Sequence, residues 1–106
     1  MGSTMRTHPK KRVDIIVEPA LLDDTLDLAT AAGAKGYTVV PCIAGLGANG
    51  RWRSGDISSA AGRVMVTIIA DADVAGAIVD RAFETLSRYA AIITVADVEV
   101  VRGDRF

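Results

Sequence analysis

The sequence predicts an α+β domain of order βαββαβ, a sandwich of a four-stranded antiparallel sheet with both helices on one face. Three observations carry this. The chain has 106 residues, half of them hydrophobic and 24% charged, which suits one packed globular domain rather than a disordered chain. Its apolar period alternates between strand-like and helix-like, in the order strand, helix, strand, long loop, strand, helix, strand. The second half repeats the plan of the first, and short right-handed crossovers turn that plan into a split βαβ, or ferredoxin-like, sheet.

Each element follows from its own residues. Residues 1–10 are polar and basic and read as a flexible N-terminal tail ahead of a domain over 11–106. Val13 to Glu18, "VDIIVE", is a β-rich run closed by Pro19. From Ala20 to Ala34 the period becomes helical: Leu22, Leu26 and Ala29 share a face, Leu21, Thr25 and Leu28 widen it, and Asp23, Asp24 and Asp27 face water. Early aspartates suit the positive end of a helix dipole, and Gly33 and Gly36 flank the helix end. Tyr37 to Ile43 is a second strand, and Pro41, which has no amide to donate, marks it as an edge or a bulge.

A glycine-rich loop runs from Ala44 to Gly62, long enough in a small domain to be functional. Arg63 to Ile69, "RVMVTII", is a third strand. Asp71 or Asp73 caps a second helix reaching Tyr89, with Ala75, Ile78, Val79, Ala82, Leu86 and Tyr89 inward and a favourable Glu84–Arg88 pair outward. Ile92 to Val101 is the last strand. On the strands, Asp14, Ile16 and Glu18 oppose Val13, Ile15 and Val17, and Met65, Thr67 and Ile69 oppose Val64, Val66 and Ile68. Neither row is plainly polar, so the helix-free face is expected to be covered by a second copy of the chain.

Charge and composition narrow the function. A net charge of −1 gives no broad basic footprint for nucleic acid or an anionic membrane. Cys42 is the only cysteine and His8 the only histidine, so neither an internal disulfide nor a Cys/His zinc site is expected. A lone thiol, no apolar run of membrane-spanning length and no secretory leader point to a cytoplasmic protein. Ser58, Ser59 and Thr38 have no histidine to activate them, and Asp97 and Glu99 alternate as a strand's solvated face would, so no enzyme is expected. The tripeptide Arg102-Gly103-Asp104 matches a cell-adhesion signal only by coincidence.

Gly45-Leu46-Gly47-Ala48-Asn49-Gly50 spells G-x-G-x-x-G, the pattern of a dinucleotide loop. That loop needs a helix opening inside it, and "RWRSGDISSAAG" has no helical stripe. A phosphate loop ending in Gly-Lys-Ser/Thr is also missing. What remains is a turn whose amides can meet an anion, with Arg51, Trp52, Arg53 and Arg63 around it. Trp52, the only tryptophan, stands with Arg51 and Arg53 as the loop's expected contact with a protein partner.

Taken together, the arrangement resembles the PII signalling family from about Lys11 to Phe106. Gly36-Tyr37-Thr38-Val39 is similar to the segment entering that family's T-loop, Gly45-Leu46-Gly47 to the turn at the T-loop base, and "ADVEVVRGDRF" to the last strand and terminal arginines of the carboxysome-linked PII-like group, CPII. The resemblance implies a homotrimer with adenine nucleotides in clefts between subunits. It implies that Gly36, Thr38, Val39 and Ile68 meet the adenine, that Gly45, Leu46 and Gly47 meet ribose or phosphates, and that Arg88, Arg102 and Arg105 supply phosphate charge. Bicarbonate is implied as a second ligand, at Gly47 and Arg102.

The departures select among ligands. No tyrosine lies between Gly45 and Gly62, Ala48-Asn49 replaces the glutamine that helps organise Mg-ATP and 2-oxoglutarate, and Ser87 to Ala91 leaves no room for a glycine- and lysine-rich B-loop. AMP or ADP is therefore expected over ATP. The implied role is a non-enzymatic sensor, without a required cofactor, whose T-loop over 44–62 is ordered by ligand and addresses a bicarbonate transporter or carboxysome-related protein. The alternative is a nucleotide-independent trimeric module of CutA-like architecture. An RNA-binding ferredoxin-like domain would need aromatics on its central strands, and Val64 to Ile69 has none.

Overall fold

The computed structural model describes residues 6–48, 50–53 and 62–102. The first strand, β1 (His8–Val17), alternates so that Val13, Ile15 and Val17 are fully buried while Asp14 and Ile16 face the other way. It begins five residues before the expected start at Val13. His8, Pro9 and Lys10, expected in the tail, pair with Val100, Glu99 and Val98 of the last strand, β6 (Ile92–Val100). Polar side chains fasten this extension: Thr7 Oγ1 donates to Glu99 Oε1 at 2.6 Å, Lys11 pairs with Asp97, and Lys10 Nζ lies 2.6 Å from Asp71 Oδ1. The apolar pattern missed the extension because ladder hydrogen bonds and ion pairs hold it, with little burial.

A 3-10 turn at Pro19–Leu21 leads into α1 (Leu22–Ala31). Thr25, Leu28 and Ala29 are buried, and the Thr25 hydroxyl is satisfied by donating to Leu21 O at 2.8 Å. The helix is shorter than Ala20 to Ala34 at both ends. Pro19 tightens the entry, and Gly33, at φ +110, turns the chain so that Ala34 N bonds back to Ala29 O. β2 (Thr38–Cys42) pairs only with β5 (Arg63–Ala70), so Pro41 lies on an edge strand as its missing amide requires.

α2 (Ala72–Leu86) buries Ala75, Ile78, Ala82 and Leu86, the stripe read from the sequence. Asp71 holds the N-cap position, yet its carboxylate makes no cap bond and takes Lys10 instead. That hydrogen bond and the adjoining positive charge of Lys10, with a smaller contribution from Lys35, hold the Asp71 carboxyl below its ordinary range. The helix stops at Leu86, so Arg88 leaves helical spacing, and the expected Glu84–Arg88 pair is not among the ion pairs of the described residues. Tyr89 is half exposed rather than inward.

The sheet order is β2-β5-β1-β6, antiparallel throughout, with β1 and β5 central. One core joins Val13, Ile15 and Val17 to Val66, Ile68 and the inner stripes of both helices. On the helix-free face, Asp14 Oδ1 accepts from Thr67 Oγ1 at 2.8 Å and from Arg12 Nε at 3.1 Å, amid half-buried Ile16, Met65 and Ile69. That face exposes apolar groups, including Val40 of β2 and Ile92 of β6. No helix among the described residues is long and apolar enough to cross a membrane.

Candidate functional site

The stretch from Ala44 was expected to be loop throughout. It opens instead with a hairpin, β3 (Ala44–Gly47) and β4 (Gly50–Arg53), which forms a separate two-stranded sheet just beyond β2. Residues 54–61 of the expected T-loop lie outside the described residues. Across the hairpin Gly45 faces Trp52, Leu46 faces Arg51 and Gly47 faces Gly50. The three glycines of G-x-G-x-x-G therefore do different things. Gly50 adopts φ +103, which only glycine takes without strain, and so closes the turn. Gly47 has open space where a side chain would stand. Gly45 is required by sterics: a Cβ there would lie 2.5 Å from Trp52 Cζ2 and 2.7 Å from Cε2.

The indole thus rests on the backbone of the facing strand, and the Arg63 guanidinium lies over its ring at 5.6 Å from the centroid. Arg63 itself is steadied by donating from Nη1 to Gly62 O at 2.7 Å. Trp52 is half-buried, while Arg51 and Arg53 are exposed. Strand alternation puts the two arginines on one face of β4 and the tryptophan on the other.

The hairpin lines a cavity of about 470 Å3 through Gly45, Leu46, Gly47 and Trp52. Ile16 of β1 and Cys42 of β2 add apolar wall, and Ala90, Ala91 and Ile92 close it where the chain enters β6. Arg63 is the one charged side chain among the described lining residues. The volume lies in the range of small-molecule sites. Among the described residues no group of three or more His, Cys, Asp or Glu could hold a metal ion.

The remaining residues named from the sequence lie outside this cavity. Thr38 is exposed on β2 opposite Thr67, and at Gly36, two residues earlier, a Cβ would meet nothing within 4 Å. Val39 packs on the core and Ile68 is fully buried in it, so a ligand could meet Ile68 only through its backbone. Arg88 and Arg102 are exposed, in the turn after α2 and just past β6, and Arg105 lies outside the described residues. Sequence reading placed Arg63 near the loop but missed Ile16, Cys42 and Ala90 to Ile92, which come from separate elements. One signal was available for Trp52: an aromatic side chain facing a glycine across a tight turn is a known way to cover a bare strand position.

Comparison with known proteins agrees with this fold. A family model, nitrogen regulatory protein P-II, matches residues 10–105. No curated protein matches the chain in sequence. Among solved structures, CPII from Thiomonas intermedia K12, a nitrogen regulatory PII-like protein bound to ADP, AMP and bicarbonate, superposes with a TM-score of 0.86 at 24% identity, covering 97% of this chain and 98% of that one. CPII bound to ADP and bicarbonate gives 0.84 at 25% identity, covering 97% and 99%. A PII-like signaling protein from Thermus thermophilus gives 0.83 at 30% identity, covering 96% and 99%. The match runs from β1 past β6 and takes in the hairpin and the cavity it lines: the chain belongs to the nitrogen regulatory protein P-II family.

Proposed function

We propose that this PII-like regulatory protein senses adenine nucleotide, ADP or AMP, with bicarbonate as a second ligand, and acts without catalysis. The observation that carries the reading is the cavity of about 470 Å3 under the β3–β4 hairpin, lined by Gly45, Leu46 and Gly47 together with Arg63 of β5. The likeness to CPII, whose structure holds ADP, AMP and bicarbonate, supplies the ligand class.

One copy presents only part of such a site. Thr38, Arg88 and Arg102 are exposed and stand apart from the cavity, which suits a cleft completed between copies. The apolar helix-free face supports association into the homotrimer that the family resemblance implies. In that assembly Gly36, Thr38, Val39 and the Ile68 backbone meet adenine, Gly45 to Gly47 meet ribose and phosphate, and Arg88, Arg102 and Arg105 carry phosphate charge. Bicarbonate sits near Gly47 and Arg102. The ligand state sets the conformation of the T-loop over 44–62 and so the surface offered to a partner in inorganic carbon uptake or fixation. Such a switch requires the ligand to bind one loop state better than the other.

Calorimetric titration with AMP, ADP and ATP, each with and without bicarbonate, tests this. Binding of ADP or AMP that Thr38→Ala or Arg102→Ala weakens by about ten-fold supports it. No heat with any adenine nucleotide rules it out, and a nucleotide-blind trimer would support the CutA-like interaction module instead.

A further inference from the structure

The β3–β4 hairpin has two strands of four residues and belongs to no larger sheet. Two-stranded hairpins are marginally stable on their own in water. Among the described residues, the Trp52 indole joins it to the main sheet: the ring touches the Gly45 backbone across the hairpin and lies under the Arg63 guanidinium of β5. The same three residues line the cavity. The backbone that would meet the ligand is therefore placed by an aromatic ring.

We propose that Trp52 is a positioning residue of this site. By seating its ring where Gly45 has no side chain and under Arg63, it fixes the β3–β4 hairpin against β5 and so sets the Gly45–Gly47 wall of the cavity. Its effect on ligand affinity rests on the nucleotide reading above; its hold on the hairpin does not. Two requirements follow from the contacts. Position 45 must lack a Cβ, because 2.5 Å to Cζ2 leaves no room for one. Position 52 must carry an aromatic face, because that is what receives the guanidinium.

Hydrogen–deuterium exchange on the ligand-free protein compares wild type with Trp52→Ala, Trp52→Phe and Gly45→Ala. Amides of β3 and β4 should exchange about ten-fold faster in Trp52→Ala and Gly45→Ala, while β1 and β5 keep wild-type rates. Trp52→Phe should stay within about three-fold of wild type, since it keeps an aromatic face. In parallel, ADP affinity should fall about ten-fold in Trp52→Ala and recover in Trp52→Phe. Unchanged hairpin exchange in both Trp52→Ala and Gly45→Ala overturns the proposal. So does equal loss of protection across β1 and β5, which would make the ring a general stabiliser, or wild-type ADP affinity in Trp52→Ala. If the wild type binds no ADP, the nucleotide reading fails and the exchange comparison alone decides whether Trp52 positions the hairpin.

Discussion

Lys10 Nζ stands 2.6 Å from Asp71 Oδ1, joining the outer end of β1 to the residue that opens α2. Lys10 is only 12% exposed, so its ammonium depends on this partner more than a surface lysine would.

The pair makes stability pH-dependent. Asp71 is more acidic folded than unfolded, so its contribution is complete above the ordinary carboxylate value of 3.8 and is lost as pH falls through the lower folded value. Asp71→Asn should therefore lower Tm slightly at pH 7, and the gap from wild type should close in acid. Thermal unfolding of both proteins across acidic pH checks this. A gap that persists below the folded value would assign the loss to something other than the charge pair.

The side chain of Ile68 is fully buried in the core that the sheet shares with the helices. Ile68→Val should cost about 1 kcal/mol of stability in urea unfolding. Nucleotide affinity should stay within about two-fold of wild type, because only the backbone at 68 is assigned to adenine. A large loss of affinity at unchanged stability would contradict that assignment.

Association through the helix-free face can be tested at Met65. It is half-buried, next to exposed Val40, its neighbour across β2 and β5. Met65→Asp should convert a trimer to a monomer in size-exclusion chromatography with light scattering while far-UV circular dichroism is retained. A trimer that persists would place the interface elsewhere.

Gly47 and Gly50 differ although the motif treats them alike. Gly50→Ala should cost the hairpin about 1 kcal/mol, read as faster exchange of β3 and β4 amides, because φ +103 is strained for alanine. Gly47→Ala should leave exchange of the ligand-free hairpin unchanged, since nothing lies within 4 Å of the added methyl.

The fold was legible in the sequence where burial creates a period. Val13, Ile15 and Val17 mark a strand, Ala75, Ile78, Ala82 and Leu86 mark a helix, and Pro41 marks an edge. Elements held by other forces were hidden. His8 to Lys10 join β1 through pairing and charge, and the hairpin forms around glycines that carry no propensity signal. The site was legible in part. Gly45, Leu46 and Gly47 stand out in the sequence through the G-x-G spacing and the family resemblance, and these three line the cavity. Ile16, Cys42 and Ala90 to Ile92 were not, because ordinary apolar residues become a wall only when the topology gathers them.

The fit of Trp52 against Gly45 also constrains how this chain can change by descent. A methyl at position 45 and an indole at position 52 exclude each other at 2.5 Å. The two positions therefore have a viable order of replacement: the tryptophan can be lost first, at the expense of a looser hairpin, and only then can the glycine acquire a side chain. Taken in the other order, the first step is a clash. Lineages that keep the tryptophan should accordingly keep the glycine, and those without the tryptophan should be free to vary at both.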